Sequence, residues 1–202
     1  YADRLYASNI TAEVYLISEE HPEGVLQEKT QLQAYEQMTS DLFSYRIIED
    51  SAVITGYFGT EESITIPASI NGMPVRRVGL CRDVFKPGNQ FVKTIIIPES
   101  VTIIDNDAFR NMSNLTRVVG LDHITEVGIY AFSSTKLNTA VFSSKLKYIG
   151  RQALDGTPVV SITLPDDFRN ADDHYDLPFI YMPKLKEIKL IPGTSPARYV
   201  IK

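Results

Sequence analysis

The amino-acid sequence predicts an α/β repeat solenoid, in which short units stack on one another and each adds one strand to a parallel sheet. Three recurrences support this fold class. A strand-like segment returns about every 22 residues, an apolar residue follows each of the first five strand centres by six positions, and an Ala-Phe or Ala-Leu pair ends the three middle units. A unit of this length is too short to bury a core alone, so it must stack on copies of itself.

The strand is the first element of each unit. The strand centres are separated by 31, 23, 22, 22 and 26 residues, and they are Ile64, Ile95, Val118, Ala140, Ile162 and Ile188. Within TIIIPESVTIIDNDAF (residues 94–109), Ile95 and Ile97 alternate with outward positions, as in a strand with one buried face. Stacking then places neighbouring strands about 4.8 Å apart. Gly120 and Ala140 are exceptions, because larger side chains are expected at their inward positions.

The return part of each unit carries the other apolar columns and is predicted to be irregular. Six residues after the strand centres are Ile70, Val101, Ile124, Leu146 and Phe168, and nine residues after the middle three are Ile104, Val127 and Ile149. The closing pairs are Ala108-Phe109, Ala131-Phe132 and Ala153-Leu154. Alanine allows neighbouring backbones to approach, and the larger side chain fills the space between units. Each buried Ile or Phe contributes roughly 1.5–3 kcal/mol.

The combined pattern L-x-x-I-x-I-P-x-x-V-x-x-I-G-x-x-A-F, over about residues 44–202, resembles the BspA-like leucine-rich repeats. The resemblance implies a right-handed leucine-rich-repeat superhelix with a parallel sheet. It also implies a secreted or cell-surface protein that binds or adheres to protein partners. An extra NGMPV in the first unit and a long insertion after Pro165 fall where the family has turns.

The chain divides into an N-terminal segment, 1–42, and the solenoid, 43–202. By resemblance the solenoid comprises a hairpin cap at 43–62, with strands around Asp50-Ser51, about five repeats at 63–192, and a short helical cap at 193–202. In the N-terminal segment, the spacing of Leu32, Tyr35, Met38 and Leu42 predicts a helix within 24–42, and ITAEVYLIS is read as a strand or part of an earlier helix. The segment is either a leader that packs on the first coil or part of another domain.

Composition and motifs argue against several function classes. The net charge of -5 disfavours nucleic acid, and no run of about 18 apolar residues is present to span a membrane. Cys81 is the single cysteine, so no intrachain disulfide can form. The chain contains no P-loop, G-x-G-x-x-G, H-E-x-x-H or G-x-S-x-G motif, and its three histidines, His21, His123 and His174, are far apart in sequence. We therefore expect no enzyme activity and no cofactor.

One acidic insertion has residue types that a metal ion could use. DDFRNADDHYD, residues 166–176, supplies carboxylates that could ligate Ca²⁺, but the spacing fits no EF-hand and lacks its turn glycine. The alternative is a solvated acidic loop, and we expect no metal site.

The outward positions of the strands form the candidate binding face. The column between the two inward residues is Thr65, Ile96, Val119, Val141, Thr163 and Lys189. The preceding outward column is Ser63, Thr94, Arg117, Thr139, Ser161 and Glu187. Ile96, Val119 and Val141 form an apolar stripe, which is typical of an interface, although β-branched residues also favour strands and a second copy could cover the stripe. The resemblance implies a non-catalytic secreted or cell-surface module that binds a protein partner, and this face is the candidate site. The alternative is a structural spacer within a larger surface protein.

Overall fold

The computed structural model describes residues 10–16, 25–32, 38–40, 42–79, 90–167, 169–170, 179 and 181–192. In chain order the strands are β1 (Ile10–Leu16), β2 (Val25–Leu32), β3 (Met38–Ser40), β4 (Phe43–Ile48), β5 (Ser51–Tyr57), β6 (Ser63–Thr65), β7 (Ser69–Ile70), β8 (Met73–Val78), β9 (Thr94–Ile96), β10 (Ile103–Ile104), β11 (Arg117–Val119), β12 (Glu126–Val127), β13 (Ala140–Val141), β14 (Tyr148–Ile149), β15 (Ser161–Pro165), β16 (Arg169–Asn170) and β17 (Glu187–Ile191). Over these ranges the one helical element is a 3-10 turn, Leu121–His123. Contacts divide the chain into two units, residues 1–37 and 38–202.

The first unit contains an antiparallel pair. Strands β1 and β2 run from Ile10 opposite Leu32 to Leu16 opposite Val25, with an irregularity between Val14 and Tyr15. The helix predicted within 24–42 is therefore wrong for the residues of β2, and also for those of β3 in the second unit. The physical reason is that strand pairing satisfies the backbone groups of these residues, which overrides a weak 3–4 spacing of apolar side chains.

The second unit opens with a hairpin where the sequence predicted two strands. Strands β4 and β5 pair antiparallel from Phe43 opposite Tyr57 to Ile48 opposite Ser51. The turn between them includes Glu49, whose φ of 55° lies in the left-handed region. Strand β3 extends the hairpin on one side, and β5 pairs in parallel with β8 on the other. The predicted helix at 193–202 lies outside the described residues.

The strands predicted for each repeat are present and stack in parallel. We call them the front ladders, because they form two separate three-stranded sheets, β6-β9-β11 and β13-β15-β17. Ile64 lies opposite Ile95, which lies opposite Val118, and Ala140, Ile162 and Ile188 align in the same way. The registers match the column of strand centres, so the alignment of the repeats is confirmed within each ladder. The fold is a parallel β-solenoid of about five turns.

A second parallel sheet, which we call the rear sheet, corrects the prediction that the return segments are irregular. Strands β8, β10, β12, β14 and β16 follow one another in it. Val78, Ile104, Val127 and Ile149 are its inward residues, and all of them are fully buried. Each complete coil thus has two strands. The rear strands β10, β12, β14 and β16 span two residues each, too few for an alternating pattern to be visible in the sequence.

The Ala-Phe segments form a third column, the turn column, at residues 106–111, 129–134 and 151–156. The N–H groups of Asp107, Phe109 and Asn111 donate to carbonyls of the next coil at 2.8–2.9 Å. Left-handed backbone recurs four residues apart in each turn, at Asp107 and Asn111, Tyr130 and Ser134, and Gln152 and Gly156. These conformations turn alternate amides toward the neighbouring coil. The core lies between the front ladders, the rear sheet and the turn column.

Candidate binding face

The front ladders present the predicted outward column in register. Thr65, Ile96 and Val119 lie side by side on β6, β9 and β11, and Val141, Thr163 and Lys189 on β13, β15 and β17. The three members of the apolar stripe are exposed by 38% for Ile96, 38% for Val119 and 57% for Val141. The neighbouring inward residue Ile95, by contrast, is fully buried. The isoleucines of one strand are thus divided between the core and the solvent by alternation alone.

The preceding outward column is mostly hydroxyl-bearing. Ser63, Thr94 and Arg117 lie opposite one another in the first ladder, and Ser161 lies opposite Glu187 in the second. Thr139 is exposed and directly precedes β13. Both columns therefore face outward together, and the face combines apolar side chains, hydroxyl groups and few charges.

The face is interrupted between the third and fourth coils. In the described structure β11 and β13 share no strand pairing, and the backbone link there is Asn138 N–H to the Thr116 carbonyl at 3.4 Å. Gly120 has a φ of 95°, and a Cβ at this position would overlap the Ile97 carbonyl. The chain turns at Gly120 into the 3-10 turn, whose Leu121 is buried. The single continuous sheet of the prediction is thus divided, and the small residue that the sequence flagged lies at the division.

The charges on the two front ladders differ in their partners. In the last coil, Lys189 Nζ lies 3.4 Å from Glu187 Oε2, and Ser161 Oγ donates to the same carboxylate at 3.0 Å. In the first ladder, Arg117 is exposed, and within the described structure it has no ion pair or side-chain hydrogen bond. Glu62, near that ladder, is paired with Lys93 at 2.6 Å.

A polar groove of about 360 Å³ lies on the rear sheet and was not anticipated from the sequence. Its lining comprises Ile103, Ile104, Asp105, Asn106, Glu126, Gly128 and Tyr148. Burial raises the pKa of the Asp105 carboxyl, with the nearby Glu126 carboxylate adding to the effect and Arg77, 3.1 Å away, opposing it. In other coils the inward residue of the rear strand is followed by a glycine, at Gly79, Gly128 and Gly150, whereas Ile104 is followed by Asp105. This exception in the repeat is the feature of the sequence that could have indicated the groove.

Most of the other candidate groups lie outside the described residues. These are Cys81, His21, His174 and residues 171–176 of the acidic insertion; Asp166 and Asp167 of that insertion are in a turn after β15. His123 is buried, with Nδ1 3.6 Å from Asp122 Oδ1. Across the described ranges, no group of three or more His, Cys, Asp or Glu side chains is arranged to hold a metal ion.

The repeat geometry agrees with a family model. The model of the BspA type leucine rich repeat region matches residues 81–195, in six copies. The chain belongs to the BspA-type leucine-rich repeat family. A search of curated proteins found no significant match to the chain.

Solved structures share the fold of this BspA-type chain. The leucine-rich repeat protein TpLRR of T. pallidum is 23% identical, with a TM-score of 0.57 over 78% of this chain and 83% of its own. The pneumococcal vaccine antigen PcpA is 14% identical, with a TM-score of 0.51 over 78% of this chain and 50% of its own. A leucine-rich cell surface protein of Faecalibacterium prausnitzii A2-165 is 20% identical, with a TM-score of 0.48 over 77% and 54%. The chain thus spans about half the length of the latter two proteins.

The described residues contain no helix that is both long and apolar enough to cross a membrane.

Proposed function

We propose that this chain is a non-catalytic binding module of a secreted or cell-surface protein, and that it recognises a protein partner through the front ladders. The observation that carries the proposal is the apolar stripe, Ile96, Val119 and Val141, held outward by strand register. Ile96 and Val119 are adjacent in the first ladder, and Val141 is exposed in the second. Adjacent exposed apolar side chains can mark a binding site. On solenoids the stacked strands supply an extended surface for such contacts.

The face also offers little of what catalysis requires. Its outward residues are Thr, Ser, Ile and Val with one Arg and one Lys-Glu pair. A nucleophile with an adjacent base, or two carboxylates facing each other, is not among them in the described structure. Recognition by many weak contacts, concentrated at a few central residues, is the mechanism that fits these groups.

The location is proposed from the family and one structural neighbour. PcpA, whose fold the chain shares, is a pneumococcal vaccine antigen. A bacterial antigen that antibodies recognise on the intact cell is exposed outside it. By analogy, we place this chain at the cell surface or in the extracellular space.

The test is loss of partner binding when charge is placed in the stripe. The double variant Ile96→Asp with Val119→Asp is compared with wild type and with Phe58→Asp plus Met73→Asp. The control also replaces two exposed apolar residues, but off the stripe. Each protein is immobilised and exposed to extracellular-matrix and cell-surface extracts, after circular dichroism has verified folding. We expect the stripe variant to lose proteins that wild type and control both retain, whereas identical capture by all three would reject the front face as the site.

A structural spacer is the second candidate. The turn column and the rear sheet join successive coils by backbone hydrogen bonds, which favours a rigid spacer. A spacer predicts that the stripe variant behaves like wild type in every binding assay, while a coil deletion changes the reach of the parent protein.

A further inference from the structure

We infer that Arg117 anchors a carboxylate of the partner, so that the front face selects a protein segment in which an Asp or Glu is flanked by apolar side chains. This inference rests on the proposed function and names the chemistry of the partner. It concerns the first front ladder, where the charged residue and two members of the apolar stripe lie together.

The register places Arg117 in the hydroxyl-bearing column, directly beside the apolar stripe. Arg117 lies opposite Thr94 on β9, and it shares its strand and face with Val119. Val119 in turn lies opposite Ile96. The guanidinium therefore extends from a surface made of apolar and hydroxyl side chains. Arginine is enriched among the central residues of interfaces, where it contacts the partner beside apolar side chains.

The described acidic residues at the starts of the front strands, where Arg117 also lies, already have partners. Glu62 is bound to Lys93, Glu61 accepts a hydrogen bond from the Tyr57 hydroxyl, and Glu187 lies beside Lys189. Glu187 also lies in the other front ladder, beyond the interruption of the face that follows β11. Among the described residues, therefore, no acidic side chain neutralises the positive charge of Arg117.

A carboxylate is the group that complements this surface. A guanidinium presents planar paired donors that match a carboxylate in two parallel hydrogen bonds. When a partner covers Ile96 and Val119, water is excluded and the ion pair strengthens. A polyanion such as a sulfated glycan would instead favour a row of cations, but the neighbours of Arg117 in its outward column, Thr94 and Thr139, are uncharged.

The experiment selects ligands without assuming a partner. A phage-displayed library of random 12-residue peptides is selected on the full wild-type chain and, in parallel, on Arg117→Gln. Arg76→Gln is the matched control, because Arg76 is an exposed arginine on the rear sheet. We expect wild type and the Arg76 variant to enrich peptides with Asp or Glu between apolar residues, and the Arg117 variant not to do so.

A double-mutant cycle then measures the pair. A selected peptide and its Asp→Asn or Glu→Gln version are titrated against wild type, Arg117→Gln and Arg117→Lys. We expect each neutralisation to weaken binding at least about tenfold, the two together to cost little more than one alone, and lysine to restore part of the loss. Additive losses, or no acidic enrichment on wild type over Arg117→Gln, would overturn the inference.

Further variants distinguish the two levels of the proposal. Selected peptides that fail to bind Val119→Asp but bind Arg117→Gln as tightly as wild type would overturn the role of Arg117 and leave the front face as the site. Peptides indifferent to both variants would overturn the inference and the proposed function together. Heparin that binds wild type and not Arg117→Gln would show that Arg117 serves a polyanion, which also overturns the carboxylate assignment.

Discussion

The ring of Phe109 stacks on the ring of Phe132 in the next coil, with centroids 5.3 Å apart and planes inclined by 24°. Both side chains are fully buried, and the Phe109 N–H donates to the Ala131 carbonyl at 2.8 Å. The side-chain stack and the backbone bond therefore join the same two coils. Aromatic pairs in this arrangement contribute beyond the area that they bury.

Replacing Phe132 by alanine is expected to lower the free energy of unfolding by roughly 3–5 kcal/mol, because it removes the stacked ring and leaves a cavity between coils. Urea denaturation followed by circular dichroism measures the change. The matched control is Phe91→Ala, since Phe91 is 53% exposed and should cost far less. Equal losses for the two variants would mean that the Phe column does not join the coils.

The residues that could be predicted from the sequence are those that recur with both a spacing and a side-chain size. The strand centres from Ile64 to Ile188 and the Ala-Phe column satisfy this condition, because each coil must present the same shape to its neighbours. The rear sheet could not be predicted, since its two-residue strands, such as Ile103–Ile104, carry no alternation. The strands at 25–32 and 38–40 were missed because pairing with a neighbouring strand, and not the 3–4 spacing of their apolar side chains, determines their structure.

The candidate face follows the same logic. Alternation alone placed Ile96 outward and Ile95 inward, so the members of the apolar stripe were predictable one coil at a time. The interruption of the face was not predictable, because it depends on how closely the backbone at Gly120 approaches the Ile97 carbonyl of the preceding coil. The role of Arg117 was not predictable either, because it depends on which nearby carboxylates are already paired with other cations, and spacing in the sequence does not show this.

The glycines after the rear strands are expected to be intolerant of any side chain. A Cβ on Gly128 would overlap the backbone of Asp105 and Asn106 in the preceding coil. Because backbone atoms cannot rotate away, we expect Gly128→Ala to destabilise by about 3 kcal/mol. The control is Gly72→Ala. At Gly72 φ is +79° and nothing lies within 4 Å of an added Cβ, so the strain of a left-handed backbone alone lowers the free energy of unfolding, by about 1–2 kcal/mol. Thermal and urea unfolding measure the stability of both variants. A smaller loss of stability for Gly128→Ala than for Gly72→Ala would show that the coils can move apart to accommodate a side chain.

Asp105 should make stability depend on pH. The pKa of Asp105 in the folded state is raised, chiefly by burial. The stabilisation that this raised pKa gives is therefore fully present below the unfolded-state pKa of about 3.9, and it is lost as the pH rises through the folded-state pKa. Asp105→Asn removes this titration and keeps an oxygen that can accept from Arg77. We therefore expect the variant to gain stability over wild type as pH rises from about 4 toward neutrality.

Urea titrations at several pH values measure that gain for Asp105→Asn. The control, Asp50→Asn, changes an exposed carboxyl in the hairpin turn and retains the Asp105 titration. A stability difference between the Asp105 variant and wild type that stays constant across this range would contradict the assigned burial of the carboxylate.

The left-handed residues of the turn column should favour glycine. Ser134 has a φ of 59°, is exposed, and uses its N–H to donate to the Asp155 carbonyl at 2.8 Å. A Cβ in this region costs about 1–2 kcal/mol, whereas glycine loses roughly 0.5–1 kcal/mol through chain entropy. Ser134→Gly is therefore expected to raise the free energy of unfolding by about 0.5–1 kcal/mol. Ser144→Gly is the control, because Ser144 is an exposed turn residue that lacks a positive φ and should be destabilised by glycine. If both substitutions destabilise alike in urea titrations, the left-handed turns are held without strain.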